Sequence, residues 1–192
     1  DVAALVKANP AAYRQSLQGK SIAMIFAKQS TRTRISFEVG IHQLGAHALA
    51  LSAGGSTGMQ IGRGETIHDT AKVLSRFVDA IVIRTFGQDE VDGLAEHGSI
   101  PVVNALTDAF HPCQALADLL TIREHLGTTR GKKLVYVGAG NNVAHSLLLA
   151  GPRAGMDVVC ACPQSLPPKP FAVRRAQQDA DAAGTKVTVT TD

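Results

Sequence analysis

Ser21-Ile22-Ala23-Met24-Ile25-Phe26-Ala27-Lys28-Gln29-Ser30-Thr31-Arg32-Thr33-Arg34 changes character at its middle. A short β-rich run, Ser21 to Phe26, gives way to a polar turn, and a helical pattern opens near Arg32 and runs to Leu44. The same order recurs downstream. Further β-rich runs lie at His47 to Leu51, Ala80 to Arg84, Pro101 to Asn104, Lys133 to Gly138, Met156 to Cys162 and Lys186 to Thr190. Helical patterns fall at Glu65 to Val78, Pro112 to Leu126, Asn142 to Ala154 and Phe171 to Ala183; in the first, Ile67, Ala71, Leu74 and Val78 share one face. Strands alternating with helices predict an α/β protein whose sheets are parallel and covered on both faces.

A boundary is expected at Gly127-Thr128-Thr129-Arg130-Gly131, where an amphipathic helix ends and a new strand–helix series begins. It divides the chain into domains at 1–126 and 127–192, each with a parallel sheet flanked by helices. The second is Rossmann-like but supplies only three strands and two helices. Doubly wound domains usually run to about 100–150 residues, so this one reads as incomplete.

With 192 residues, 45% of them hydrophobic, the chain has enough apolar surface for a sizeable core, which excludes disorder. The net charge of +3 is spread in short Arg/Lys groups, and six Phe, two Tyr and no Trp provide no stacking platform for nucleic acid. Neither the three Cys nor the seven His have metal-ligand spacing, and the Cys form no disulfide framework, which points to a reducing compartment. No apolar run reaches the roughly 18 residues of a membrane span, and no leader is visible.

In open parallel sheets ligands sit beyond the carboxyl ends of the strands, and here those ends are polar. After the first strand, Ser30 is placed to cap a helix that carries Thr31, Arg32, Thr33 and Arg34. Helix N–H groups, hydroxyls and guanidinium forks together make a phosphate cradle; the plainer alternative is a cap with solvated arginines. Arg84 closes the third strand and would lie close to that loop, and His111-Pro112-Cys113-Gln114 opens the helix after the fourth. A surface ion pair for Arg84 and a capping or core role for His111 are the alternatives. His111 and Cys113 invite a thiol-nucleophile reading, against which a small buried Cys is the commoner outcome. The Gly-rich stretch Ala53 to Gly64, with Gln60 and Arg63, is long enough for a lid or an interface arm rather than a simple connection. Gly138-Ala139-Gly140-Asn141-Asn142-Val143 follows a strand and opens a helix, yet it fails the dinucleotide fingerprint. Val143 replaces the third glycine, and no acid follows the next strand to hold a ribose. Asn141 and Asn142 read either as hydrogen-bonding groups for a small polar substrate or as helix caps.

Ser30-Thr31-Arg32-Thr33-Arg34, Ser36-Phe37-Glu38, Gln43-Leu44-Gly45, Gly64-Glu65, Asp69-Thr70-Ala71, Arg84 and His111-Pro112-Cys113-Gln114-Ala115-Leu116-Ala117-Asp118 stand in one order and spacing. In these the chain resembles the aspartate/ornithine carbamoyltransferase family across essentially its whole length. Gln60-Ile61-Gly62-Arg63, Val73-Leu74-Ser75-Arg76 and Gly140-Asn141-Asn142 are similar to the ornithine type. Ala27 and Ala139 depart from it, standing where the family usually has an acidic residue and where many members have Asp.

The resemblance implies transfer of the carbamoyl group of carbamoyl phosphate to the δ-amine of L-ornithine, giving L-citrulline and phosphate, as in arginine biosynthesis. By it Ser30, Thr31, Arg32, Thr33 and Arg84 bind carbamoyl phosphate, and His111 and Gln114 contact its carbamoyl end. Arg84, His111 and Thr33 act in catalysis, Asn142 binds ornithine, and Gln60 reaches into a neighbouring subunit's carbamoyl phosphate site. It further implies no metal or organic cofactor, no nucleic acid or membrane partner, a homotrimer or a multiple of trimers, and a cytoplasmic setting, or the mitochondrial matrix in an animal. The family's Ser-Met-Gly and His-Cys-Leu-Pro segments would fall beyond Asp192, so the 192-residue chain alone is expected to lack turnover. A different amine acceptor (putrescine, aspartate, an acylated ornithine) and a noncatalytic carbamoyl-phosphate-binding fragment remain as rivals.

Overall fold

A computed structural model describes residues 2–52 and 64–191. Two compact units result, Asp1–Thr107 and Asp108–Asp192. In the first unit α1 (Val2–Ala8) and a 3₁₀ turn (Pro10–Tyr13) precede β1 (Ser21–Phe26), α2 (Thr31–Gln43), β2 (His47–Ser52), α3 (Ile67–Phe77), β3 (Ala80–Arg84), α4 (Gln88–His97) and β4 (Val102–Leu106). The second holds α5 (Pro112–Leu126), β5 (Lys133–Val137), α6 (Asn142–Arg153), β6 (Asp157–Ala161), α7 (Pro170–Ala183) and β7 (Val187–Thr190). The expected boundary after Leu126 falls inside the second unit, because α5 packs on α6.

All strands of the first sheet are parallel, in the order β2-β1-β3-β4. From β1 the chain steps one way to β2 and then back across β1 to β3 and β4. Right-handed crossovers therefore place α2 on one face and α3 and α4 on the other. Strand side chains divide accordingly with period two. Ala23, Ile25, Ile81 and Ile83 meet Ala71 and Leu74 of α3 and Val91 and Leu94 of α4. Ile22, Met24 and Val82 meet Ile41 of α2. Each such buried Val, Leu, Ile or Met contributes roughly 1.5–3 kcal/mol. The sheet is anchored at its amino end by Asp79, whose carboxylate accepts from the Ser21 N–H and from the Lys20 ammonium, both at 2.8 Å. Those two bonds hold the Asp79 carboxyl below the usual range.

The second sheet runs β5-β6-β7, also parallel. Its order proceeds in one direction, so both crossovers fall on one face, and Ala144 and Leu148 of α6 and Ala176 of α7 pack there on Val158, Cys160 and Cys162. The opposite face differs from the expectation of two covered faces: Val135 and Val137 of β5 are 58% and 80% exposed among the described residues.

Cys160 is fully buried, and burial with the neighbouring Cys162 thiol pushes its pKa from an ordinary 9.0 to about 11. Unfolded chains lose this proton near pH 9 and the folded chain does not, so stability should fall as pH rises from about 9 to 11. The loss is on the order of 2 kcal/mol. Urea midpoints at pH 8 and pH 10.5 check it: Cys160→Ala should show the smaller drop, and an equal drop would exclude this thiol as the cause.

Candidate active site

At β1 the strand order reverses, and the crevice beyond the carboxyl ends of β1 and β3 is the place where doubly wound sheets bind ligands. Phe26 ends β1 in register with Arg84, which ends β3. The turn leaving β1 is tied to that end, since the Ala27 N–H donates to the Arg84 carbonyl at 2.9 Å. Three residues on, Ser30 caps α2 by accepting from the Thr33 N–H at 3.3 Å, with extended backbone (φ −162°, ψ 120°). This is the cap that the sequence implied. It leaves the first N–H groups of a 13-residue helix pointing into the crevice, with Thr31 and Arg32 exposed on its first turn.

Arg84 reaches the same turn, its Nη1 donating to Thr33 Oγ1 at 3.4 Å. Its Nε is buried and makes no hydrogen bond among the described residues, no carboxylate among them pairs with it, and burial lowers its pKa. A partly buried cation without a counter-charge carries a desolvation cost that an arriving anion would offset. The surface ion-pair alternative is not what forms. β4 carries one extra residue opposite β3 here, Ile83 matching Asn104 and Arg84 matching Leu106, a bulge of the kind that re-aims side chains. Lys28 lies 5.0 Å from the centre of the Phe86 ring, adding a second cation to the rim.

In the second unit His111 stands at the N-cap position of α5, its N–H donating to Ser146 Oγ at 2.7 Å. Gln114, one turn along, is exposed and donates its amide N–H to Asp118 at 2.8 Å. Burial raises the Cys113 thiol, the opposite of nucleophile activation. Asn141 caps α6, its Oδ1 accepting from the Val143 and Ala144 N–H groups at 3.0 and 3.1 Å, so the capping alternative holds for it. Asn142 is the first residue of α6 and half-buried. Gly140 closes the turn between β5 and α6, donating its N–H to the Leu166 carbonyl at 2.8 Å, and the backbone of Pro167 and Pro168 lies against it. Gln60 and Arg63 lie outside the described residues. The structure thus brings Ser30, Thr33 and Arg84 together in the first unit, and His111 beside α6 in the second. Ser146 and His145 were not singled out from the sequence, because the Ala109, His111 and Lys169 backbone groups that they bond lie far along the chain. Among the described residues no group of three or more His, Cys, Asp or Glu is placed to hold a metal, and no helix is long and apolar enough to cross a membrane.

A doubly wound unit with a capped helix and an arginine at its switch point, followed by a second parallel α/β unit, is a two-domain α/β architecture. Residues 1–124 match the carbamoyl-P binding domain of the aspartate/ornithine carbamoyltransferases, and residues 130–192 match the Asp/Orn binding domain. The chain belongs to the aspartate/ornithine carbamoyltransferase family. It is 57% identical over 176 residues to an ornithine carbamoyltransferase of Anoxybacillus flavithermus, covering 92% of this chain and 55% of that one. The ornithine carbamoyltransferase of Acidothermus cellulolyticus is 53% identical over 192 residues, covering 100% and 61%. Among solved structures, that of ornithine carbamoyltransferase from Pyrococcus furiosus superposes with a TM-score of 0.91 at 47% identity, covering 100% of this chain and 60% of that one. The chain therefore spans between about half and two thirds of the length of these relatives.

Proposed function

We propose that the protein transfers the carbamoyl group of carbamoyl phosphate to the δ-amine of L-ornithine. The observation that carries this reading is Arg84, half-buried, without a carboxylate partner among the described residues, and bonded to the capped first turn of α2. Arg84, Arg32 and the N–H groups of α2, with Ser30 and Thr31, neutralise the phosphate dianion. The neutral amine of ornithine attacks the carbonyl carbon, the new C–N bond forms, the C–O bond to phosphate breaks, and the amine proton passes to the departing phosphate, which leaves as hydrogen phosphate. Thr33, Arg84 and His111 donate to the developing oxyanion, where one lost donor costs about 3–4 kcal/mol of barrier; Gln114 completes the carbamoyl contacts and Asn142 binds ornithine. The relatives' names support ornithine as acceptor. A homotrimer, with Gln60 contributing to a neighbouring subunit's site, a cytoplasmic setting and a place in arginine biosynthesis complete the reading. Exposed Ile35 and Val39 on α2 give the trimer an apolar surface to use.

A form extended to the length of the relatives, supplied with carbamoyl phosphate and L-ornithine, should release one phosphate per citrulline, whereas the 192 residues alone should show no turnover. With L-aspartate, putrescine or N-acetyl-L-ornithine kcat/KM should be at least about 100-fold lower, since unpaired polar groups reject the wrong acceptor. Faster turnover of another amine would replace ornithine as the acceptor. Phosphate binding without any citrulline would establish a noncatalytic carbamoyl-phosphate binder instead.

A further inference from the structure

We propose that Ser146 and His145, consecutive residues on α6, are positioning residues that set where His111 stands relative to Asn142; the proposal rests on the carbamoyltransferase reading above. Ser146 is 5% exposed, and its hydroxyl is used twice. It accepts the His111 N–H at 2.7 Å and donates to the Asn142 carbonyl at 2.8 Å. One hydroxyl thus joins the backbone of the residue assigned to the carbamoyl group to that of the residue assigned to ornithine.

His145, 1% exposed, holds the same segment two residues upstream. Its Nδ1–H donates to the Ala109 carbonyl at 2.8 Å, and its Nε2 accepts from the Lys169 N–H at 2.9 Å. Both nitrogens are satisfied in one tautomer, the neutral one, and burial together with the Lys169 charge disfavours protonation. The imidazole is walled by Phe110 and Phe171, with ring centres 6.2 and 5.9 Å away. Pro112 follows His111 directly and fixes the entry into α5. Residues 109–111 are therefore gripped at Ala109 and at His111 by neighbouring side chains of one helix. All four bonds run to backbone groups of the protein, so their effect on the reaction passes through His111 and Asn142.

Misplacing a catalytic group by about 1 Å can cost on the order of 100-fold in rate. In a form extended to the length of the relatives, Ser146→Ala should lower kcat by about 10- to 100-fold and raise KM for L-ornithine. Its affinity for inorganic phosphate, measured by calorimetry, should stay at the wild-type value, because the phosphate-binding residues lie in the first unit. Ser146→Thr retains the hydroxyl and should recover kcat to within about threefold. Assays are run well below each variant's melting temperature, so that loss of fold is not read as loss of positioning. If Ser146→Ala does not fold, Ser146→Cys and His145→Asn provide the comparison, each lowering kcat with phosphate affinity unchanged. Wild-type kcat and KM in Ser146→Ala, or equal losses in the Ala and Thr variants, would overturn the positioning role while leaving the carbamoyltransferase reading intact. Absence of citrulline from the unmodified form of full relative length would overturn both.

Discussion

Replacing Arg84 with Met is expected to weaken phosphate binding by more than about 100-fold and, at the same time, to raise the melting temperature of the ligand-free protein. The two effects share one cause. The guanidinium is half-buried, its Nε has no hydrogen-bond partner and no described carboxylate faces it, so the folded chain carries an uncompensated desolvation cost. Met fills similar space without that cost. An incoming dianion, however, loses a charge-assisted fork whose bonds are worth about 1.5–3 kcal/mol each. Calorimetry with inorganic phosphate and carbamoyl phosphate reads the first effect. Melting curves with and without ligand read the second, since binding to the native state alone stabilises it. A variant with wild-type affinity would remove Arg84 from the site, and one that melts several degrees lower without ligand would show that Arg84 serves the fold.

Gly140→Ala should destabilise the protein by about 3 kcal/mol or more, at the upper end of what overpacking costs. A methyl group there would strike the backbone of Pro167 and Pro168, and the Gly140 N–H bond to Leu166 holds the two segments in contact. A flexible side chain could yield, but two consecutive prolines cannot easily do so. Urea unfolding followed by circular dichroism gives the number. A change below about 1 kcal/mol would mean that the loop from 163 to 170 adjusts freely.

The same glycine shows which parts of the molecule could be read from the chain alone. Its place after a strand and before a helix was legible, because Lys133 to Gly138 and Asn142 onward carry different periodicities. Its crowding against Pro167 and Pro168 was not, since nothing local links the two segments. The cradle was legible for a topological reason: strand ends in a parallel sheet gather on one side, so Ser30, Thr33 and Arg84 had to approach one another. The helix Gln88–His97 escaped notice because only Val91 and Leu94 are buried along it and Gly93 interrupts it. The bonds from Ser146 and His145 escaped for the opposite reason, their sequence neighbourhood reading as an ordinary apolar helix face.

The bulge beside Arg84 gives the first sheet an unusual sensitivity to length. Proteins commonly absorb insertions and deletions in their loops, where chain length is loosely constrained. Here the additional residue sits inside β4, at the fully buried Ala105, and the pairing changes step just before the strand ends. Asp79 fixes the opposite end of β3 against Ser21, so the mismatch cannot be relieved by sliding the strand. The aim of a cation is thus encoded in a residue count: losing Ala105 would leave Ser30, Thr33 and Arg84 in place and the charge unaltered, yet it should change the direction in which Arg84 points.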